Sequence, residues 1–170
     1  LIQKELKRYK TEFIPVDSEH FSIWSVIKDY RKEDIEKIFL TASGGPFLNE
    51  KIKKNILPND AIKHPNWKMG KKISIDSATL MNKIFEIIEA KKIFNIELKK
   101  FDILIHSKSY IHAIVKLKNG LIKIIAHDTN MKIPISNSVY IGERNQNFIK
   151  SKKINFKILN SLDFQLVNIK

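Results

Sequence analysis

The stretch IHAIVKLKNGLIKIIA, residues 111–126, decides the fold class. Two β-rich runs, Ile111 to Leu117 and Leu121 to Ala126, flank Lys118-Asn119-Gly120. Branched side chains pack well on a pleated surface, and an Asn-Gly pair tolerates the positive φ angles of a tight reversal. The stretch therefore predicts a hairpin, and with it antiparallel sheet. Working outward, Phe101 to Ile105 and Ile38-Phe39-Leu40 read as further strands. The second of these runs into Thr41-Ala42-Ser43-Gly44-Gly45-Pro46, where two glycines and a proline force a turn. Thr11 to Val16 reads as one more short strand, and residues 31–36 as a charged loop.

Helical spacing appears in residues 1–10, from Asp17-Ser18-Glu19-His20 to about Tyr30, and most clearly from Leu80 to Phe94. There Met81, Ile84, Phe85, Ile88 and Ile93 recur at near-helical intervals. Asp76-Ser77-Ala78-Thr79 supplies cap-type residues just before that helix, after a short apolar run Ile73 to Ile75. Between residues 47 and 72, Pro58, Pro65 and Gly70 break regular structure and predict a mobile connection. Residues 145–170 hold only weak β-type runs and read as a connecting region. The expected fold is α+β, with a mixed, largely antiparallel sheet of about four strands and helices on one face.

Composition narrows the function classes. Across 170 residues there is no cysteine, which leaves oxygen and imidazole as the donors for any metal. No apolar run approaches the roughly 18 residues of a membrane span, so no membrane partner is expected. The net charge of +13 invites a nucleic-acid reading, but only three of the 31 basic residues are arginine: Arg8, Arg31 and Arg144. Without guanidinium forks, lysine spread along the whole chain reads as a solvated surface, and no nucleic-acid partner is expected. A basic RNA- or anion-binding module is the rival reading. The chain starts at Leu1 with a polar, lysine-rich stretch unlike a signal peptide, and reads as a piece of something longer.

Four clusters carry chemistry. Asp17 and Glu19, at i and i+2, project to one side of an extended backbone and suit two oxygen ligands of a hard cation; a helix N-cap is the bland alternative. Ser43-Gly44-Gly45 lets backbone N–H groups approach an anion, or simply turns tightly. Ser77 and its neighbours offer hydroxyls at a helix N-terminus, where the macrodipole favours phosphate. One turn in, Asn82, Lys83 and Glu86 gather an amide, an ammonium and a carboxylate. His64-Pro65-Asn66-Trp67-Lys68-Met69-Gly70 puts an imidazole, an indole and a thioether between backbone breakers, as a closing lid requires. His106 and His112 line the same pocket or sit satisfied in the core, the core being the expectation for His106.

Taken in order, Pro15 to His20, Leu40 to Phe47, His64 to Gly70 and Asp76 to Lys83 closely resemble the 1-deoxy-D-xylulose 5-phosphate reductoisomerase family, from about Thr11 to Tyr140. The resemblance implies that Asp17, Glu19 and Glu86 bind Mg2+ or Mn2+. It implies that Ser43, Ser77, Asn82 and Lys83 hold the phosphate of a phosphorylated sugar substrate, with His64 on a closing flap, residues 58–70. Ser18 would contact the sugar, Trp67 and Met69 would cover it, His112 would line the pocket, and Gly70 would lie beside the nicotinamide of NADPH. Asp17, Glu19, Glu86, His64 and Lys83 form the implied catalytic set.

The resemblance further implies a homodimer and a cytoplasmic site of action, or a plastid one behind a transit peptide. Residues 1–10 would then lead in from a preceding nucleotide-binding domain, 11–142 form the catalytic domain, and 143–170 lead toward a helical C-terminal domain. Without its nucleotide-binding partner this piece would be inactive or nearly so, and an inactive fragment or paralogue of the same fold is a second rival reading. One departure is local: Ile84-Phe85 stands where the family commonly has Gly-Leu, which predicts tighter helix packing near Glu86.

Overall fold

The computed structural model describes residues 2–48, 55–64, 66, 67, 69–141, 154 and 156–167. In chain order its elements are α1 (Ile2–Tyr9), α2 (Ser18–Ile27), β1 (Ile35–Ala42), α3 (Pro58–Ala61), α4 (Lys71–Ala78) and α5 (Met81–Phe94). Then follow β2 (Phe101–Ile105), β3 (Ile111–Leu117), β4 (Ile122–Ala126), α6 (Lys132–Val139), α7 (Phe156–Leu159) and β5 (Gln165–Leu166).

The hairpin of β3 and β4 forms as the sequence predicts, with Gly120 at φ +89° closing it and the Leu117 N–H donating to the Leu121 carbonyl at 2.9 Å. The sheet runs β4-β3-β1-β2-β5. Its β1–β2 pair is parallel and the other three pairs are antiparallel. A parallel neighbour cannot be reached by a tight turn, and α3 to α5 make the crossover between β1 and β2. The fold is thus α+β with a mixed, largely antiparallel sheet. Its strands number five rather than about four, because Gln165–Leu166 of the C-terminal region adds to the edge of β2.

Side chains two apart on the strands, Ile38 and Leu40 on β1, Ala113, Val115 and Leu117 on β3, point into one core. Phe21 and Trp24 of α2 and Ala90 and Phe94 of α5 close over them. Each fully buried aliphatic side chain here contributes on the order of 2 kcal/mol. This core fixes α2 and α5 against the sheet, and both helices present their N-terminal turns toward the carboxyl end of β1.

Five local expectations are corrected. Thr11 to Val16 forms no strand: Pro15 has no N–H to give a ladder, and the segment is mostly exposed on its way into α2. The helix expected to reach Tyr30 ends at Ile27. The charged loop at 31–36 is a short 3-10 turn, Lys32–Asp34, held by Arg31 donating to both oxygens of Asp34 at 3.0 Å, and β1 already starts at Ile35.

The fourth correction concerns Asp76 to Thr79, which do not cap the long helix. Residues 71–78, including the apolar run Ile73 to Ile75, form α4, and Leu80 at φ +60° makes the break before α5. The Thr79 hydroxyl bonds back to the Ile75 and Asp76 carbonyls, both at 3.2 Å, so it ends one helix rather than starting the next. Ile84 and Phe85 are each more than 40% exposed and do not tighten packing around Glu86.

Candidate active site

Asp17 caps α2, its carboxylate accepting the His20 N–H at 3.5 Å, and Glu19 occupies the first helical turn. An acidic cap and an acidic first turn are what the N-terminal end of a helix favours. The two carboxylates converge because the helix starts there, not because the chain is extended. Glu86 reaches them from the second turn of α5. One carboxylate oxygen from each of Asp17, Glu19 and Glu86 lies within 4.8 Å of the others.

Lys83 and Asn82, in the first turn of α5, complete the cage. Lys83 Nζ lies 2.6 Å from Glu19 Oε1 and 2.7 Å from Glu86 Oε2, with its side chain 7% exposed. Asn82 Nδ2 donates to the other Glu86 oxygen at 2.5 Å, and Ser18 Oγ to the other Glu19 oxygen at 2.5 Å. Burial and the repelling charge of Glu19 push the Glu86 carboxyl up to about 8, although the Lys83 ammonium pulls the other way. Burial alone would lower Lys83, but Glu19 and then Glu86 more than offset it and hold the amine charged. Asp17 is only half-buried, and although desolvation pushes its carboxyl up, the His20 imidazole outweighs that and holds it below the ordinary value.

His20, part of the motif but given no role by the sequence, joins the two helices. Its Nδ1 meets Asp17 Oδ2 at 3.1 Å and its Nε2 meets the Glu86 carbonyl at 2.9 Å. Burial lowers its pKa, but the hydrogen bond and charge of Asp17 raise it further, to about 9. Both nitrogens then donate, and the imidazolium aligns the two carboxylate-bearing helix ends. Its signal was readable: a histidine three residues after a capping aspartate shares that aspartate's side of the first turn.

The cage opens on a cavity of about 410 Å³ at the carboxyl end of β1. Every expected site residue except Gly70 lines it: Asp17, Ser18, Glu19, Ser43, His64, Trp67, Met69, Ser77, Asn82, Lys83, Glu86 and His112. Gly70 lies outside that lining, before α4, with open space where a Cβ would stand.

Ser77 arrives from the last turn of α4, so no helix N-terminus backs it. The first turn of α5, with Asn82 and Lys83, is the helix end that faces the cavity. Gly44 and Gly45 have φ of +85° and +70°, and a Cβ on Gly45 would come within 2.9 Å of the Ala78 Cα, so only glycine brings Ser43 and Ser77 to one wall.

The rest of the lining is largely aromatic. His64 Nδ1 accepts the Asn66 and Trp67 N–H groups at 3.2 and 3.0 Å, which leaves Nε2 protonated and donating to Ser43 Oγ at 2.9 Å. Burial lowers the His64 pKa and keeps the ring neutral. His112 Nε2 donates to the His127 carbonyl at 3.1 Å, its ring stacks on His127 with centroids 3.7 Å apart, and Trp67 meets it edge-on at 6.2 Å. Burial brings the His112 pKa down to about 4. His106, as expected, is core, fully buried and stacked on Phe164.

Sequence reasoning missed Thr41, Ile73, Leu80, Glu89, Ser109, Ile111 and Met131, which also line the cavity. Thr41 and Ile111 sit at strand ends beside the glycine turn and were in principle readable; Ser109 and Met131 arrive through topology alone.

The donor set fits a hard divalent cation: carboxylate oxygens from two helices, no sulfur, and a like-charge repulsion that a cation would relieve. A dinucleotide is another matter. Among the described residues no glycine-rich loop runs from a strand into a helix N-terminus, so these residues do not form a cradle for one.

Comparison with known proteins converges on one family. Residues 13–94 match the family model described as 1-deoxy-D-xylulose 5-phosphate reductoisomerase C-terminal domain. The chain is 61% identical over 170 residues to the 1-deoxy-D-xylulose 5-phosphate reductoisomerase of Pelagibacter ubique, covering 99% of this chain and 43% of the relative. It is 46% identical over 158 residues to that of Persephonella marina, covering 91% of this chain and 41% of the relative.

Among solved structures it superposes with a TM-score of 0.87 and 34% identity on a DOX-P reductoisomerase in complex with NADPH, fosmidomycin and magnesium, covering 99% of this chain and 44% of the other. With the Zymomonas mobilis 1-deoxy-D-xylulose 5-phosphate reductoisomerase in complex with NADPH the TM-score is 0.86 and the identity 33%, covering 98% of this chain and 43% of the other. The chain thus spans well under half the length of the relatives it matches.

Proposed function

Since this chain belongs to the 1-deoxy-D-xylulose 5-phosphate reductoisomerase family, we propose that it supplies the metal- and substrate-binding part of an enzyme of non-mevalonate isoprenoid synthesis. The reaction would convert 1-deoxy-D-xylulose 5-phosphate to 2-C-methyl-D-erythritol 4-phosphate, by rearrangement and then hydride transfer from NADPH. The single observation that carries this reading is the convergence of three carboxylates within 4.8 Å beside a cavity lined by hydroxyl, amide and ammonium groups.

In this reading Asp17, Glu19 and Glu86 hold Mg2+ or Mn2+, which when bound polarises a carbonyl and steadies developing oxyanion charge. The chain's own groups do the rest. Ser43, Ser77, Asn82 and Lys83 bind the phosphate; Lys83, already seated between Glu19 and Glu86, is the counter-charge common to both ends of the site. Neutral His64 presents its Nε2–H through Ser43, whose hydroxyl accepts from it and from the Gly45 N–H at 3.1 Å and so keeps its own O–H to donate. Ser18 meets the sugar. Trp67 and Met69 exclude water, which strengthens each polar contact beneath them. His112 stays neutral and adds no charge to the sugar's surroundings.

Gly70 would lie beside the nicotinamide in a larger protein that also holds NADPH. That protein would be a homodimer, working in the cytoplasm or, behind a transit peptide, in a plastid. Among the described residues no helix is long and apolar enough to cross a membrane.

Fosmidomycin, present in a solved relative with magnesium, tests the site directly. It is expected to raise the melting temperature of the protein when Mg2+ or Mn2+ is present and not otherwise. A shift that ignores the metal, or none at all, would remove the combined metal and phosphate site.

A further inference from the structure

Asn66 stands outside the roles given above. Its side-chain amide donates to the Ser107 carbonyl at 2.6 Å and to the Ser109 hydroxyl at 2.8 Å. The carbonyl fixes which end of the amide faces that turn, since an oxygen placed there would meet another oxygen. Ser107 and Ser109 lie between β2 and β3, in a turn anchored to the end of β1 by the His106 N–H donating to the Ala42 carbonyl at 2.8 Å. The acceptor is held at a cost: Ser109 is a buried non-glycine residue at φ +51°, where an L side chain loses about 1 kcal/mol or more. Backbone strain kept at a cavity wall is commonly put to use.

The neighbours of Asn66 supply the use. His64 and Trp67 line the cavity, and the Asn66 and Trp67 N–H groups both bond to His64 Nδ1. Asn66 itself does not line it, but ties these two residues to the turn beside the sheet. Ser109, accepting from Asn66, keeps its own O–H for the cavity it lines.

We infer that Asn66 is a positioning residue: by clamping itself, and through the His64 ring its neighbours His64 and Trp67, to the β2–β3 turn at Ser107 and Ser109, it holds His64 and Trp67 over the bound ligand and sets how fast that ligand leaves. The ligand half of this statement rests on the function proposed above; the clamp does not.

Hydrogen exchange of the amides between residues 62 and 70, and release of fosmidomycin in the presence of Mg2+, test both halves. Asn66→Ala should speed that exchange about tenfold, the loss of roughly one to two net hydrogen bonds, and Asn66→Asp at least as much, because a carboxylate cannot donate to the Ser107 carbonyl. Ser109→Ala should reproduce part of the effect and add nothing to Asn66→Ala in the double variant. Exchange in β3 and calorimetric Mn2+ affinity should stay as in wild type, while fosmidomycin release quickens in step with exchange.

Should Asn66→Asp misfold, Ser109→Ala and the double variant carry the same test. Exchange in Asn66→Ala equal to wild type, or additive effects of the two substitutions, overturns the clamp. If wild type fails to bind fosmidomycin, the functional reading falls, and exchange alone still decides whether Asn66 holds the segment.

Discussion

The helical wall that carries Asp17, Glu19, Lys83 and Glu86 and the cover formed by His64, Asn66 and Trp67 are held by different forces. The first is ionic, rooted in two helices that the core fixes, and its key ammonium is almost wholly buried between two carboxylates at 2.6 and 2.7 Å. The second is neutral, half-exposed, and tied down by hydrogen bonds from His64 and Asn66 and one edge-on ring contact from Trp67. Under the function proposed above, the difference would assign work: charge and precision on one side, where position must not change, and a light cover on the other, where a ligand must come and go.

The largest effect that would sharpen this contrast comes from Lys83→Met. Glu19 and Glu86 would then lose their shared counter-ion, and breaking a buried pair from one side costs up to about 3–5 kcal/mol, reduced by the proton that Glu86, already raised to about 8, takes up. Urea unfolding of the metal-free variant should show that loss, and Mn2+ should restore part of it. A variant as stable as wild type would mean that the cage is not under the tension described.

Glu86→Gln comes next. It keeps the shape and removes one charged ligand, so Mn2+ affinity by calorimetry should fall by more than about a hundredfold, beyond what loss of a supporting contact alone produces. Unchanged affinity would take Glu86 out of the metal shell. Trp67→Ala, on the cover, should leave Mn2+ affinity alone and weaken fosmidomycin about tenfold, the scale of one exposed edge of an aromatic contact plus its buried area. If Trp67→Ala disturbed the metal as much as Glu86→Gln does, the two walls would not be separable.

How much of this was legible beforehand follows from the range of the interactions. The hairpin at 118–120 and the helix from Met81 are local, so period and turn chemistry suffice to find them. The carboxylates were legible as contiguous motifs, but not the means of their meeting, which depends on where α2 starts. Leu80 in a left-handed conformation carries no signal in a leucine, so the break between α4 and α5 was invisible, and Thr79 serves a helix end as readily as a helix start. The short β5 pairs through backbone with a strand about sixty residues away, and weak β propensity could not say whether it would. Asn66 and Ser109 meet only because β1, β2 and β3 bring their ends together. His20 lay in plain view, in a motif whose carboxylates drew all the attention.

Two histidines give the smallest and most discriminating test, because they are the same residue type at equal exposure, 2%, on the two walls. On the helical wall Asp17 outweighs burial and raises His20 to about 9; on the sheet wall burial outweighs the opposing pull of Glu19 and lowers His112 to about 4. The consequences for stability have opposite signs. What His20 contributes is fully present below the unfolded value of 6.5 and is lost as pH rises toward about 9. What His112 contributes is present above 6.5 and is lost as pH falls toward about 4, at most about 3 kcal/mol for a shift of that size. Imidazole NMR on the metal-free protein should find the His112 ring neutral, with its proton on Nε2, throughout the fall from pH 6.5 to near 4. Replacing His112 with Asn should accordingly flatten the acid side of the melting-temperature profile and leave the alkaline side as it was. A His112 that titrates like a free imidazole would mean that water reaches this wall, and then the neutral, water-excluding character given to the cover would have no physical basis.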